Sequence, residues 1–186
     1  VEVQTDPWQL RGAVLADPFT HAAYHGRLDA QWPQHLQATA SFLCEELPRF
    51  RYGGADALFW RECGATPVQE LAWSLASSDA QLDALLETQI DRAKLAHGFR
   101  WQFSVGGHLL LELAKLRAAR RLCARLLAAK GLPEGSLQVH ATTAYHTKSP
   151  HASYSNLIRG AIEGLAGILG GADSVHTLRH DVLTEE

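Results

Sequence analysis

Ten histidines are spread along the 186 residues, and an imidazole is the side chain most suited to metal ligation or proton transfer near neutral pH. His21 and His25 stand four residues apart, a spacing that puts two rings on one helix face. Neither an HExxH stretch nor a nearby third ligand accompanies them, so no metal site is expected. His140, His146 and His151 fall on a strand and its following loop, and His176 and His180 lie near the end. Each reads as a surface or hydrogen-bonded histidine. A Ser-His-Asp hydrolase would show a GxSxG nucleophile elbow, and the standard nucleotide loops would show GxGxxG or GxxxxGK followed by Ser or Thr. None of these is present. Cys44, Cys63 and Cys123 are odd in number and far apart, so they form no disulfide framework. They read as small buried hydrophobes in a reducing cytoplasm.

The elements that must position any site follow from composition and pattern. Hydrophobic residues make up 46% and charged residues 20%, enough apolar surface to offset the entropy of ordering a core. No run of about 18 apolar residues suggests a membrane span. A net charge of −3 gives no basic footprint for nucleic acid. Met is absent, position 1 included, which leads us to expect a processed, trimmed or partial chain.

Residues 33–47 suit a helix ending near Pro48, and 54–60 (GADALFW) read as a short strand. Thr66-Pro67-Val68-Gln69 is a helix start: Thr66 caps, Pro67 fits the first turn and Gln69 completes a capping box. Ser77-Ser78-Asp79 then restarts a helix over about 79–96. The strand FRWQFSV (99–105) alternates. Phe99, Trp101, Phe103 and Val105 point one way, Arg100, Gln102 and Ser104 the other. A helix over 108–130 follows, carrying Lys115, Arg117, Arg120, Arg121, Arg125 and Lys130 on what reads as a solvated basic face. A strand over 137–142 sets Gln138, His140 and Thr142 opposite Leu137, Val139 and Ala141. A helix over 153–169 and a last short strand (ADSVHTL) complete the pattern.

Alternating strand and helix units predict an α/β fold with a parallel sheet. One polar and one apolar face per strand fits a barrel, apolar outward to helices and polar inward to a lumen. A full (β/α) barrel needs eight strands and roughly 250 residues. About four strands are readable here, so we expect parallel (β/α) units of a TIM-barrel type, about the C-terminal half of a barrel.

Read together, ECGATPVQELAWSLA (62–76), SVGGHLLLELAKLRAARRLCARL (104–126), VHATTAYHT (139–147) and YSNLIRGAIEGLAGILGGADSVHTLRHD (154–181) resemble the methylmalonyl-CoA mutase family. The resemblance is to the second half of its acyl-CoA-binding TIM barrel. The most specific stretches are AKLRAAR (114–120), GAT-x-x-QELA and NLIR…GGADS. The implied organisation is one half-barrel-like domain over 1–186. It has a helical lead-in at 1–53, a barrel segment at 54–181 and a tail at 182–186.

The family rearranges acyl-CoA carbon skeletons with adenosylcobalamin, held in a separate domain by a DxHxxG motif. That motif does not occur here, so no cofactor is expected on this segment. Catalytic members place a Tyr-His pair where this chain has Leu58-Phe59. Their next strand carries an Arg and a Phe where ungapped alignment gives Gly98 and Gln102, and the following one a His and a Gln where this chain has His140 and Thr142. His140 alone is retained. The chain therefore looks most similar to the family's non-catalytic small subunit, with a structural role beside a catalytic mutase subunit or a homodimer mate. The alternative is an acyl-CoA-binding or residually active module. Its polar lumen would comprise Arg100, Gln102, Ser104, Gln138, His140, Thr142, Ser174 and His176, with His140 on the thioester. A third reading makes the basic helix an interaction module for an acidic partner.

Overall fold

The computed structural model describes residues 6–133 and 137–184. Residues 1–5 of the expected lead-in and 185–186 of the expected tail lie outside them. Five strands and seven α-helices alternate among the described residues: β1 (Gly12–Ala13), α1 (Pro18–His25), α2 (Trp32–Glu46), β2 (Phe50–Arg51), α3 (Leu58–Glu62), α4 (Pro67–Leu86), α5 (Arg92–His97), β3 (Arg100–Val105), α6 (Leu109–Ala129), β4 (Gln138–Thr143), α7 (Ser155–Leu169) and β5 (Ser174–His176). Strands β1 and β2 pair in parallel, and a second sheet has the order β3-β4-β5, with β4 and β5 parallel. The fold is mixed α/β, with parallel pairing in both sheets.

The chain divides into two compact units. The first draws on Val1–Asp56, Ser74–Arg100 and Cys123–Leu137. Leu36, Leu43, Tyr52, Leu82, Leu85, Leu95, Phe99 and Leu127 are buried in it. Asp17 organises its entry. Its carboxylate caps α1 by accepting from the Phe19 and Thr20 backbone N–H groups, with Pro18 in the first turn. The same carboxylate accepts from the Ser77 hydroxyl at 2.7 Å and the Asp56 N–H at 3.2 Å. Ser77 also accepts from Gln81, whose side chain brackets Gly54 by accepting from its N–H and donating to its carbonyl. The second unit draws on Ala57–Trp73, Trp101–Leu122 and Gln138–Glu186. Trp101, Phe103, Val105, Leu116, Val139, Ala141 and Ala166 are buried in it.

Several expectations hold in detail. Thr66 and Gln69 form the reciprocal cap, each side chain accepting from the other's backbone N–H, at 2.9 and 3.3 Å. Strands β3 and β4 bury Trp101, Phe103, Val105, Val139 and Ala141 on their apolar positions.

Others need correction. The predicted strand at 54–60 reduces to isolated bridging: bridge residues fall at Gly53, opposite Phe99, and at Asp56, and Leu58–Glu62 is helical. Short apolar runs do not discriminate strand from helix by pattern alone. Nor does a helix restart at 77–79, because α4 runs unbroken to Leu86 and α5 is separate. Ser77 and Ser78 are buried mid-helix, and Ser77 spends its hydroxyl on Asp17 instead of capping. The basic helix is not uniformly solvated: Lys115 is buried, and Arg120 pairs with Asp173 at 2.6 Å.

Gly54 has φ of 124°, and a Cβ built there would lie 1.8 Å from the Arg100 carbonyl oxygen. Only glycine satisfies both conditions. Gly54→Ala should cost about 2–4 kcal/mol in urea denaturation. Gly107→Ala, at a glycine with open space around its Cβ position, should stay within about 0.5 kcal/mol of the parent.

Candidate functional site

Strand β3 lies at one side of the three-stranded sheet, and its backbone groups alternate in direction as parallel pairing requires. On one side Val105 offers its carbonyl to the Ala144 N–H at 2.9 Å. On the other, Gln102 offers its carbonyl to Ala57 N–H at 2.9 Å. Two residues on, no strand meets Ser104. Side chains take the place of a strand: Ser104 N–H donates to Glu70 Oε1 at 2.9 Å, and Lys115 Nζ donates to the Ser104 carbonyl at 2.5 Å. Lys115 Nζ also meets Glu70 Oε2 at 2.7 Å and Glu112 Oε2 at 2.6 Å. Arg61 extends the array, with Nη2 3.4 Å from Glu112 Oε1 and Nη1 donating to the Ala65 carbonyl at 2.5 Å. Glu70, Glu112 and Lys115 are almost fully buried.

Burial pushes the Glu70 carboxyl above the usual carboxylate range, while Lys115 and the Ser104 N–H pull it back. An interior charge array of this kind persists only when every member has a close partner. Its position explains two of the sequence stretches singled out above. Glu70 stands in QELA and Lys115 in AKLRAAR. Both read as ordinary helix positions in sequence, yet each acts as a backbone clamp. One signal was available: Glu112 lies on the same helical stripe as Leu116, Ala119, Cys123 and Leu127, all buried.

The strand residues held by this clamp carry the polar positions expected of a site. Gln102, Gln138 and His140 are half-buried, and Ser104 and Thr142 are buried. The register sets His140 opposite Ser174 and Thr142 opposite His176. His140 Nδ1 lies 2.7 Å from Ser174 Oγ, and its Nε2 lies 3.2 Å from Thr142 Oγ1. The ring is thus held between two hydroxyls, each of which can donate or accept. Such a group is suited to orienting a polar ligand by hydrogen bonding. Ser104 Oγ is buried without a hydrogen-bond partner. His176 is exposed. Arg100 belongs to the other unit, where its Nε is buried without a hydrogen-bond partner and burial lowers its guanidinium pKa.

The loop after β4 is also pinned by buried groups that sequence reasoning passed over. Glu62 accepts from the N–H groups of Tyr145 and His146 at 2.9 and 2.8 Å. Glu163 accepts from Thr147 Oγ1 at 2.6 Å and pairs with Lys148, both charges fully buried. Asn156 bonds to both backbone groups of Ser149 and to the His180 carbonyl. The rings of His21 and His25 stand 4.2 Å apart. Among the described residues no group of three or more His, Cys, Asp or Glu could hold a metal ion, and no helix is long and apolar enough to cross a membrane.

Comparison with known proteins gives a consistent picture. The family model described as methylmalonyl-CoA mutase matches residues 2–184. The methylmalonyl-CoA mutase small subunit of Porphyromonas gingivalis is 29% identical over all of this chain and 30% of its own length. That of Streptomyces virginiae is 34% identical over 92% of this chain and 28% of its own. The human mitochondrial methylmalonyl-CoA mutase is 28% identical over 75% of this chain and 19% of its own. The chain thus spans under a third of the length of these relatives.

Removing one partner of the clamp strands the others in the interior. Lys115→Met should destabilise the fold by about 3–5 kcal/mol. The double variant Glu70→Gln with Lys115→Met should cost less than the sum of the singles in a thermal-denaturation cycle. The raised Glu70 pKa also sets a pH dependence. The folded state holds the proton more tightly, so this group favours folding at low pH and loses that contribution as pH rises through its folded pKa. The stability of the parent relative to Glu70→Gln should therefore fall as pH rises from the ordinary carboxylate range, as urea titrations at a series of pH values would show.

Proposed function

The chain belongs to the methylmalonyl-CoA mutase family, and from that premise we propose that it is a small-subunit-like segment with a structural role, forming about half of a TIM-type barrel beside a catalytic mutase subunit in the cytoplasm. The observation that carries this reading lies at 58–59. Catalytic members of the family carry a Tyr-His pair there, and this chain has Leu58 and Phe59 at the start of α3. Neither side chain can donate or accept a hydrogen bond. Phe59 instead begins an aromatic cluster, its ring 5.2 Å from Trp60, which lies 4.8 Å from Trp73. Bulk and apolarity occupy positions where the radical chemistry needs polar contacts.

The exposed face of α7 supports the partner. Leu157, Ile158, Leu165, Ile168 and Leu169 are 45–69% exposed along one helix. A contiguous apolar face of this kind marks an interaction surface. The small-subunit relatives carry in their names the implication of a larger companion. A homodimer mate is the other way to cover the same face.

Adenosylcobalamin supplies radical initiation in the family. The usual DxHxxG ligand motif is missing, and His140 already has both ring nitrogens against hydroxyls. The residues here do not fit the corrinoid, and we assign it to a separate domain of the assembly.

A second reading, an acyl-CoA-binding module, is favoured by one observation. Ser104 Oγ is buried and unpartnered on the strand bearing Gln102, next to the strand bearing Gln138, His140 and Thr142. A buried hydroxyl without a partner is costly unless something reaches it. His176, opposite Thr142 in the register, belongs to the same set.

The structural reading expects the full chain to form a stable complex with a catalytic methylmalonyl-CoA mutase subunit in size exclusion with light scattering. Ile158→Asp with Leu165→Asp should weaken that complex at least about tenfold while leaving the far-UV dichroism intact. A chain that isomerises methylmalonyl-CoA unaided sinks the non-catalytic reading. Calorimetry with methylmalonyl-CoA separates the alternative: binding by the chain alone, lost in His140→Ala, would favour the module.

A further inference from the structure

A cavity of about 360 Å³ lies within the first unit, between the end of α2, strand β2 and helix α5. That is the small end of the range for ligand sites. Leu43, Phe50 and the ring of Tyr52 give it an apolar wall, and Arg49, Lys94 and His97 stand around it. Among the described residues that line it, none is acidic. Cys44 lines it too, half-buried, with Sγ 3.6 Å from the Tyr52 hydroxyl. That hydroxyl donates to the Lys94 carbonyl at 3.2 Å, and burial pushes the phenol well above its usual range, so it remains a donor. The Arg51 guanidinium donates to the His97 carbonyl, adding positive charge close by. Burial, and then Arg51, hold the His97 imidazole below its usual range, so it is neutral near pH 7 and the fixed cations of the lining are Arg49 and Lys94.

We propose that this cavity is a binding site for a small carboxylate with a short apolar body, its tail against Leu43, Phe50 and Tyr52 and its anionic head between Arg49 and Lys94. Two features select that class. The apolar wall of Leu43, Phe50 and Tyr52 rewards a ligand with an apolar body, a gain that an inorganic anion lacks. The unopposed cations reject an amine and give a carboxylate charge-assisted hydrogen bonds. The site lies in a different unit from the polar strand residues around His140.

Cys44 supplies the readout, because a ligand in the cavity must cover its thiol. The full chain is alkylated with N-ethylmaleimide in the presence of hexanoate, hexanol or hexylammonium, and Cys44 and Cys63 are followed by peptide mass spectrometry. Exposed Cys63 lies in the other unit and serves as the internal control. Hexanoate at about 10 mM should slow Cys44 modification at least about tenfold and leave Cys63 unchanged, with hexanol and hexylammonium much weaker. Arg49→Ala and Lys94→Ala, both at exposed positions, should each raise the protecting concentration about tenfold. Equal protection by hexanol and hexanoate overturns the proposal and leaves a mere apolar crevice. So does protection unchanged in both alanine variants. If Cys44 proves unreactive, titration calorimetry with hexanoate decides, and absence of saturable heat at about 10 mM overturns it.

Discussion

Ser104 offers an N–H and a carbonyl toward a side of its strand where no strand comes to meet them. A buried backbone pair left in that state is strongly unfavourable, and an open sheet edge invites wrong pairing. The chain meets the requirement with a carboxylate from α4 and an ammonium from α6. Those two charges are then themselves buried, each at a desolvation cost of several kcal/mol. Glu112 gives the Lys115 ammonium a third acceptor, and Arg61 supplies the cation that balances Glu112. This accommodation completes the hold on β3, which β4 and the burial of Trp101, Phe103 and Val105 secure elsewhere. It also fixes the directions of Gln102 and Ser104, since their side chains alternate with the clamped backbone.

The same arrangement separates architecture from chemistry in the sequence. QELA and AKLRAAR are among the most specific stretches of the family resemblance, and each contributes one charge to the clamp. They shape the strand that a catalytic relative would use, without touching a reacting group. The polar positions of β3 and β4 and the aromatic cluster that begins at Phe59 are separate from that clamp. Glu70 and Lys115 serve the architecture of this chain whatever stands at Leu58 and Phe59. This gives a physical basis for reading the protein as a scaffold.

Polar residues of the second unit follow a common pattern. Glu62 and Asn156 each use a side chain to satisfy loop backbone near residues 145–149, and Glu163 holds the same loop through the Thr147 hydroxyl and the Lys148 ammonium. In the first unit Asp17 and Gln81 do the same for α1 and Gly54. Carboxylates and amides that look like surface residues by type are the internal fasteners of the loops. Helices α4 and α6 therefore cannot be read by amphipathicity alone: their buried stripes include Glu70, Glu112 and Lys115 among the leucines and alanines.

Local chemistry in the sequence determined the elements whose signals are short-range. The Thr66–Gln69 cap, the alternation of β3 and β4, and the mixed α/β order were legible because each depends on residues a few positions apart. The Asp17 cap before Pro18 is equally local. What the sequence could not decide were matters settled by distant partners. GADALFW is compatible with strand or helix, and the turn at Gly54, braced by Gln81, resolved it. Ser77-Ser78 is a plausible helix break until Asp17 takes the Ser77 hydroxyl. His140 was picked out as a candidate on pattern, but its place between Ser174 and Thr142 depends on the register of β4 with β5. Lys115 looked solvated because the charge it meets lies 45 residues away at Glu70. A buried ion pair is a property of two chain segments brought together, and only the tertiary structure brings them together.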